Sequence, residues 1–211
     1  MALVVTAVLA AASAAAADSV RTAAGIGHRG RIVGLEDGEL VVESGSVTRR
    51  VPLAEIARVS VDAYPDMDRA ESALARAQAG GAGSADAFGD AEGRYESLLR
   101  LGIPSWLRTV IQTRLYRVYA ASGRTEKALA AYLGMAKSSP VLVEGLRLPP
   151  PRQGADAANR SMLKDVEAAL AGADEEPHAK ELRRFRVALV LLVGKPAEVL
   201  PLLDPLIQSP N

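Results

Sequence analysis

Cysteine is absent from this chain of 211 residues. No disulfide braces the fold, and at this length a buried core can take that role. A thiol nucleophile and a cysteine-linked lipid anchor are excluded with it. Aromatic residues are scarce, at 4%, and alanine is abundant, which favours close helix packing over a large sheet core. Charge of one sign is missing too: 25 basic residues balance 25 acidic ones, and no stretch is polybasic. The general attraction of a basic surface to nucleic acid or anionic lipid is therefore absent.

Motifs that carry chemistry are equally few. His28 and His178 stand far apart, neither with a neighbour at metal-ligand spacing. His178 follows Glu175-Glu176-Pro177 and reads as a solvated surface residue. Glu175 and Glu176 are adjacent, so they do not oppose each other as an acid–base pair would. There is no nucleophile elbow, phosphate loop or paired-histidine zinc motif. Gly25, Gly27 and Gly30 fit the glycine spacing of dinucleotide-binding turns. That motif requires a strand before it and a helix after it, whereas strands follow here, so the glycines are read as a bend. No catalytic residue, cofactor or metal ligand is assigned, and the expected function is non-enzymatic.

What is present begins with an apolar, uncharged leader. Residues 1–17 end in small residues before Asp18, which resembles a secretory signal peptide lacking its basic start; a buried alanine-rich helix is the alternative. The leader implies export, to the periplasm or cell envelope, with no membrane span in the mature chain. Residues 18–62 form the next unit. Short β-type runs at 31–35 and 39–43 flank Asp37-Gly38, a strong hairpin signal. Gly45-Ser46 turns into a run at 47–51, residues 52–55 read as one helical turn, and 56–61 as a final strand. Four or five short strands suggest a small antiparallel, SH3-like or Sm-like barrel. It serves either as a ligand-binding module or as a cap on the first helical hairpin.

The remainder is helical. Trp106, Val110, Ile111, Leu115, Val118 and Tyr119 recur at helical spacing from a start at Ser105, read as a cap. Arg108, Arg114 and Arg117 fall largely off that stripe. Gly123 breaks the helix. A second helix follows Thr125, burying Ala128, Leu129, Tyr132, Met135 and Ala136, and ends at Pro140. Leu115, Tyr119, Gly123, Ala128, Tyr132 and Pro140 stand in the order and spacing of a tetratricopeptide repeat, and this segment resembles that family of helical-hairpin repeats of about 34 residues. Gln112, Tyr116 and Met135 depart from its pattern; an ordinary helical pair is the alternative. Ala91 and Tyr95 copy the Ala128–Tyr132 pairing upstream, after a helix at 66–79 with Asp66 as cap. Downstream, Gly194 and Pro210 echo Gly123 and Pro140 more weakly, and a further helix spans about 155–171.

The resulting organisation is a leader at 1–17, a β module at 18–62, helical hairpins at 63–140, a proline-rich loop at 141–155 and degenerate repeats at 156–211. The fold class is mainly α, a solenoid of antiparallel hairpins behind a β module. The resemblance implies a scaffold or adaptor that binds protein partners on the inner face of the array, where Thr113, Arg114 and Arg117 are the candidate contacts. The lysines and asparagines of the family's carboxylate clamp are absent there. Arg183, Arg184 and Arg186 form a second basic patch. The alternative function is ligand binding by the β module, with the helices as support. The last helix, crowded with Val199, Leu200, Leu202, Leu203, Leu206 and Ile207, is expected to pack on further repeats or to self-associate.

Overall fold

The computed structural model describes residues 17–81, 83–172 and 178–194, with Val199, Pro201 and Leu202. The leader, apart from Ala17, and most of the apolar C-terminal helix lie outside these residues.

Six short strands come first: β1 (Ser19–Thr22), β2 (Gly27–Arg29), β3 (Arg31–Glu36), β4 (Glu39–Ser44), β5 (Val47–Pro52) and β6 (Ile56–Ser60), with a 3-10 turn at Leu53–Glu55 before β6. Asp37 and Gly38 both take positive φ, 49° and 81°. That is the backbone of a two-residue hairpin turn matched to strand twist. All pairings are antiparallel, in two sheets ordered β2-β1-β6 and β3-β4-β5. The sheets do not close into a barrel. They meet instead at Gly30, between β2 and β3, where a Cβ would fall 2.1 Å from the Glu43 carbonyl oxygen. Only glycine permits that approach. Gly25, at φ 82°, turns β1 into β2. The glycine-rich segment thus bends a sheet corner, as its context suggested.

Six helices follow: α1 (Pro65–Ala79), α2 (Ser84–Leu99), α3 (Ser105–Ala121), α4 (Thr125–Ser138), α5 (Asp156–Leu170) and α6 (Ala179–Leu192). They pack as antiparallel pairs, α1 on α2, α3 on α4 and α5 on α6, with α2 meeting α3 and α4 meeting α5. Gly123 ends the central hairpin turn at φ 65°. The expected starts are right to within a residue, but the expected caps are not. Ser105 is the first helical residue behind Pro104, and Tyr64 and Pro65 precede Asp66, with no side-chain cap at either helix. Proline's fixed φ sets these starts instead.

Ala91 and Tyr95 on α2, and Ala128 and Tyr132 on α4, are fully buried. Each alanine lets helices approach while the tyrosine fills the space beside it. Strand β6 packs on α1 and β3 on α3, and one apolar core runs from Val20 in the sheets to Val190 in α6. A short strap, a 3-10 turn at Pro140–Val143 continuing to Leu148, returns to α3, where Tyr116 bonds the Arg147 carbonyl. His178 is buried at the start of α6 rather than solvated, because α6 packs its first turn against the strap. No described helix is long and apolar enough to cross a membrane.

Candidate partner-binding cavity

The face of α3 that carries Thr113 and Arg117 is covered rather than open. The β3–β4 hairpin and the strap close over it and leave a cavity of about 400 Å³. Thr113, Tyr116 and Arg117 supply its helical wall, Gly38, Glu39 and Leu53 its β wall, and Val141, Leu142, Glu144 and Leu146 the strap side. Asp37 completes a set of three acidic residues around it.

Two of the expected contacts, Thr113 and Arg117, therefore line one space. Thr113 is buried, and its hydroxyl donates to the Val110 carbonyl at 2.7 Å. It offers lone pairs but no free proton. Arg117 is half-buried and has no hydrogen bond or ion pair among the described residues. Burial and then the neighbouring Arg114 charge depress its pKa from the ordinary arginine value. The guanidinium stays protonated at physiological pH, so it is a partly desolvated cation without a hydrogen-bonding partner among the described residues, offset in part by the charge of Glu71.

Arg114 is placed differently from expectation. Its side chain is 0% exposed, which removes it from any partner surface. Its Nε donates to Glu71 Oε1 at 2.8 Å, its Nη2 to the Ile56 carbonyl at 3.2 Å, and Tyr95 donates its hydroxyl to the same Glu71 oxygen at 3.2 Å. Strand β6 and helices α1, α2 and α3 meet at this pair. A wider apolar face than the predicted stripe caused the misreading: α3 also buries Leu107, Thr113 and Tyr116. Glu71 carried a signal in the sequence, since it sits between Ala70 and Leu74 on the buried face of α1.

The strap is held from two sides. Tyr116 donates to the Arg147 carbonyl at 2.5 Å. Burial, and then the charge of Glu181, push its hydroxyl pKa up to about 12. Glu181 on α6 accepts the Leu148 amide at 2.7 Å, Arg147 at 3.0 Å and Arg184 at 2.6 Å. Tyr116 stood out in the sequence as bulky where the repeat pattern is small, and its reach to the strap explains the departure. Arg186 pairs with Glu167 across α5 and α6 at 2.9 Å. Arg183 lies three residues before it on α6, half-buried and also engaged, so the second basic patch is tied into its own fold.

Among the described residues no cluster of histidine and carboxylate side chains is arranged to hold a metal ion. Comparison of the chain with protein families, curated proteins and solved structures finds no match.

Proposed function

We propose that this protein is a non-enzymatic, exported scaffold or adaptor, built on a tetratricopeptide-like array, that receives a segment of a partner protein in the cavity over α3. The single observation carrying this reading is Arg117: a half-buried cation with no hydrogen bond or ion pair among the described residues, in a cavity of mixed polarity. A partly desolvated charge is costly until an acceptor reaches it. The planar guanidinium suits a carboxylate or a pair of backbone carbonyls. Apolar ground at Leu53, Val141 and Leu142 beside Glu39 and Glu144 suits an extended segment, which presents side chains and backbone N–H groups together.

The repeated Ala–Tyr pairs of α2 and α4 support the tetratricopeptide-like reading, and the apolar leader supports export to the periplasm or cell envelope. The β region lines the same cavity as α3, so recognition draws on strands and helices together. The test is affinity capture from cells that make the protein, comparing the native chain with Arg117→Glu. Arg117 is only half-buried and unpaired, so the variant should fold. Loss of the captured partner with an unchanged melting temperature is expected. Undiminished capture would remove Arg117, and this cavity with it, from the function.

A further inference from the structure

A smaller cavity, of about 200 Å³, lies between the two sheets. His28 and Arg29 of β2 line one side; Val42 and Ser44 of β4, with Val47 and Arg49 of β5, line the other. Gly30 builds it, since its close approach to the Glu43 carbonyl brings the end of β2 against β4. Glu39 lines the Arg117 cavity and Ser44 lines this one. The run of β4 between them spans about 17 Å at a strand's rise per residue.

Strand register places the side chains. Val20, 1% exposed, pairs with His28, and Val42, also 1% exposed, pairs with Arg49. Cross-strand partners share a face, so His28 and Arg49 rise from the core-facing sides of their sheets. They meet there, with Arg49 Nη1 3.4 Å from His28 Nδ1. A guanidinium only donates. Nδ1 is therefore the acceptor, and the ring proton sits on Nε2, a donor with no hydrogen bond among the described residues. Ser44, two residues from Val42, adds its hydroxyl on the same face.

Carboxylates are kept off this face. Glu43 stands between Val42 and Ser44 and so on the opposite side of the sheet, in register with Arg31 and Thr48. No acidic residue among the described ones lines the cavity. Apart from His28, the Arg49 side chain has no partner among the described residues, and the exposed Arg29 side chain has none.

We propose that this cavity binds a phosphate group. Arg49, the His28 Nε2–H and the Ser44 hydroxyl come from three strands. Donors so dispersed suit a tetrahedral anion with several acceptor oxygens better than a planar carboxylate. Arg29 adds positive charge beside them. A soluble phosphomonoester and a lipid phosphate headgroup share this chemistry. The lipid is included because Val47, 49% exposed, lines the cavity and Ile26, 57% exposed, precedes β2. The site stands apart from the Arg117 cavity and does not rest on the function proposed for it.

The test is calorimetric titration of the full chain with glycerol phosphate and, at equal ionic strength, with acetate, beside flotation with phosphatidylcholine vesicles with and without phosphatidic acid. Saturable binding of the phosphate-bearing probe, and not of acetate or phosphatidylcholine alone, is expected. Arg49→Ala should weaken it about tenfold or more, as loss of a charge-assisted contact implies. Arg29→Ala should weaken it less. Ser44→Glu, which puts a carboxylate in the cavity, should abolish it. Arg31→Ala removes the same charge from the opposite face and should leave it unchanged. All four positions are exposed, so the melting temperature should hold. Tighter binding to the phosphatidic acid vesicles would assign the site to a lipid; equal or tighter binding of glycerol phosphate would assign it to a soluble ester. Binding of neither phosphate probe, equal binding of acetate, or equal losses from Arg31→Ala and Arg49→Ala would overturn the proposal.

Discussion

Arg114 and Arg117 lie one helical turn apart on α3, yet they have opposite fates. Arg114 is sealed against Glu71 beneath the strands, while Arg117 lines a cavity and makes no ion pair among the described residues. Breaking one side of a buried pair strands the other charge, so Arg114→Ala or Glu71→Ala should cost about 3–5 kcal/mol. The double change Glu71→Leu with Arg114→Met should cost less than either single one, by chemical denaturation. Glu92 and Glu181 supply a pH dependence. Burial raises the pKa of each, but hydrogen bonds outweigh it, from Lys127 and Arg124 onto Glu92 and from Arg184, Leu148 and Arg147 onto Glu181. Both end below the ordinary glutamate value of 4.5. A depressed folded-state pKa gives stability that is complete above the unfolded value and lost as pH falls through the folded one. Thermal melts should therefore hold through neutral pH and weaken below about pH 4.5; Arg184→Ala should flatten that acid limb. Thr113 and Arg117, named from the resemblance to a tetratricopeptide repeat, line one cavity. Sequence reasoning misjudged Arg114 because burial of an arginine depends on Glu71, 43 residues away.

The elements that local chemistry specifies were the legible ones. The Asp37-Gly38 turn, the run at 47–51, the single helical turn before β6, and the Gly123 break all lie where the pattern puts them. The strap was legible only as a proline-rich loop, because its anchors, Tyr116 and Glu181, come from two different helix pairs. The open arrangement of the sheets was not legible either. It depends on how Gly30 meets the Glu43 carbonyl across β2 and β4, a contact between segments that no local turn signal encodes. Gly30→Ala tests this directly. A methyl group 2.1 Å from a backbone oxygen must displace a strand, and overpacking of this kind costs about 1–3 kcal/mol. The melting temperature should fall, whereas Gly89→Ala, where no atom lies within 4 Å of the added Cβ, should leave it unchanged or raise it, since alanine favours a helix interior.

At the scale of the molecule, three helix pairs and two small sheets share one core, with β6 against α1 and β3 against α3. That placement changes what a helical-repeat reading implies. A broad open groove becomes a bounded cavity of about 400 Å³ whose mouth includes Val141, 54% exposed on the strap. The central claim is that a partner segment enters there and is held by Arg117. The most direct measurement is site-specific photo-crosslinking in the cells that make the protein, with a photoreactive residue at Val141 and a control at Leu101, which is 52% exposed but outside the cavity. A discrete adduct from position 141 that is absent from position 101, and that disappears when Arg117→Glu is added, is the predicted result. No adduct at 141, the same adduct from both positions, or an adduct indifferent to Arg117→Glu would contradict the account.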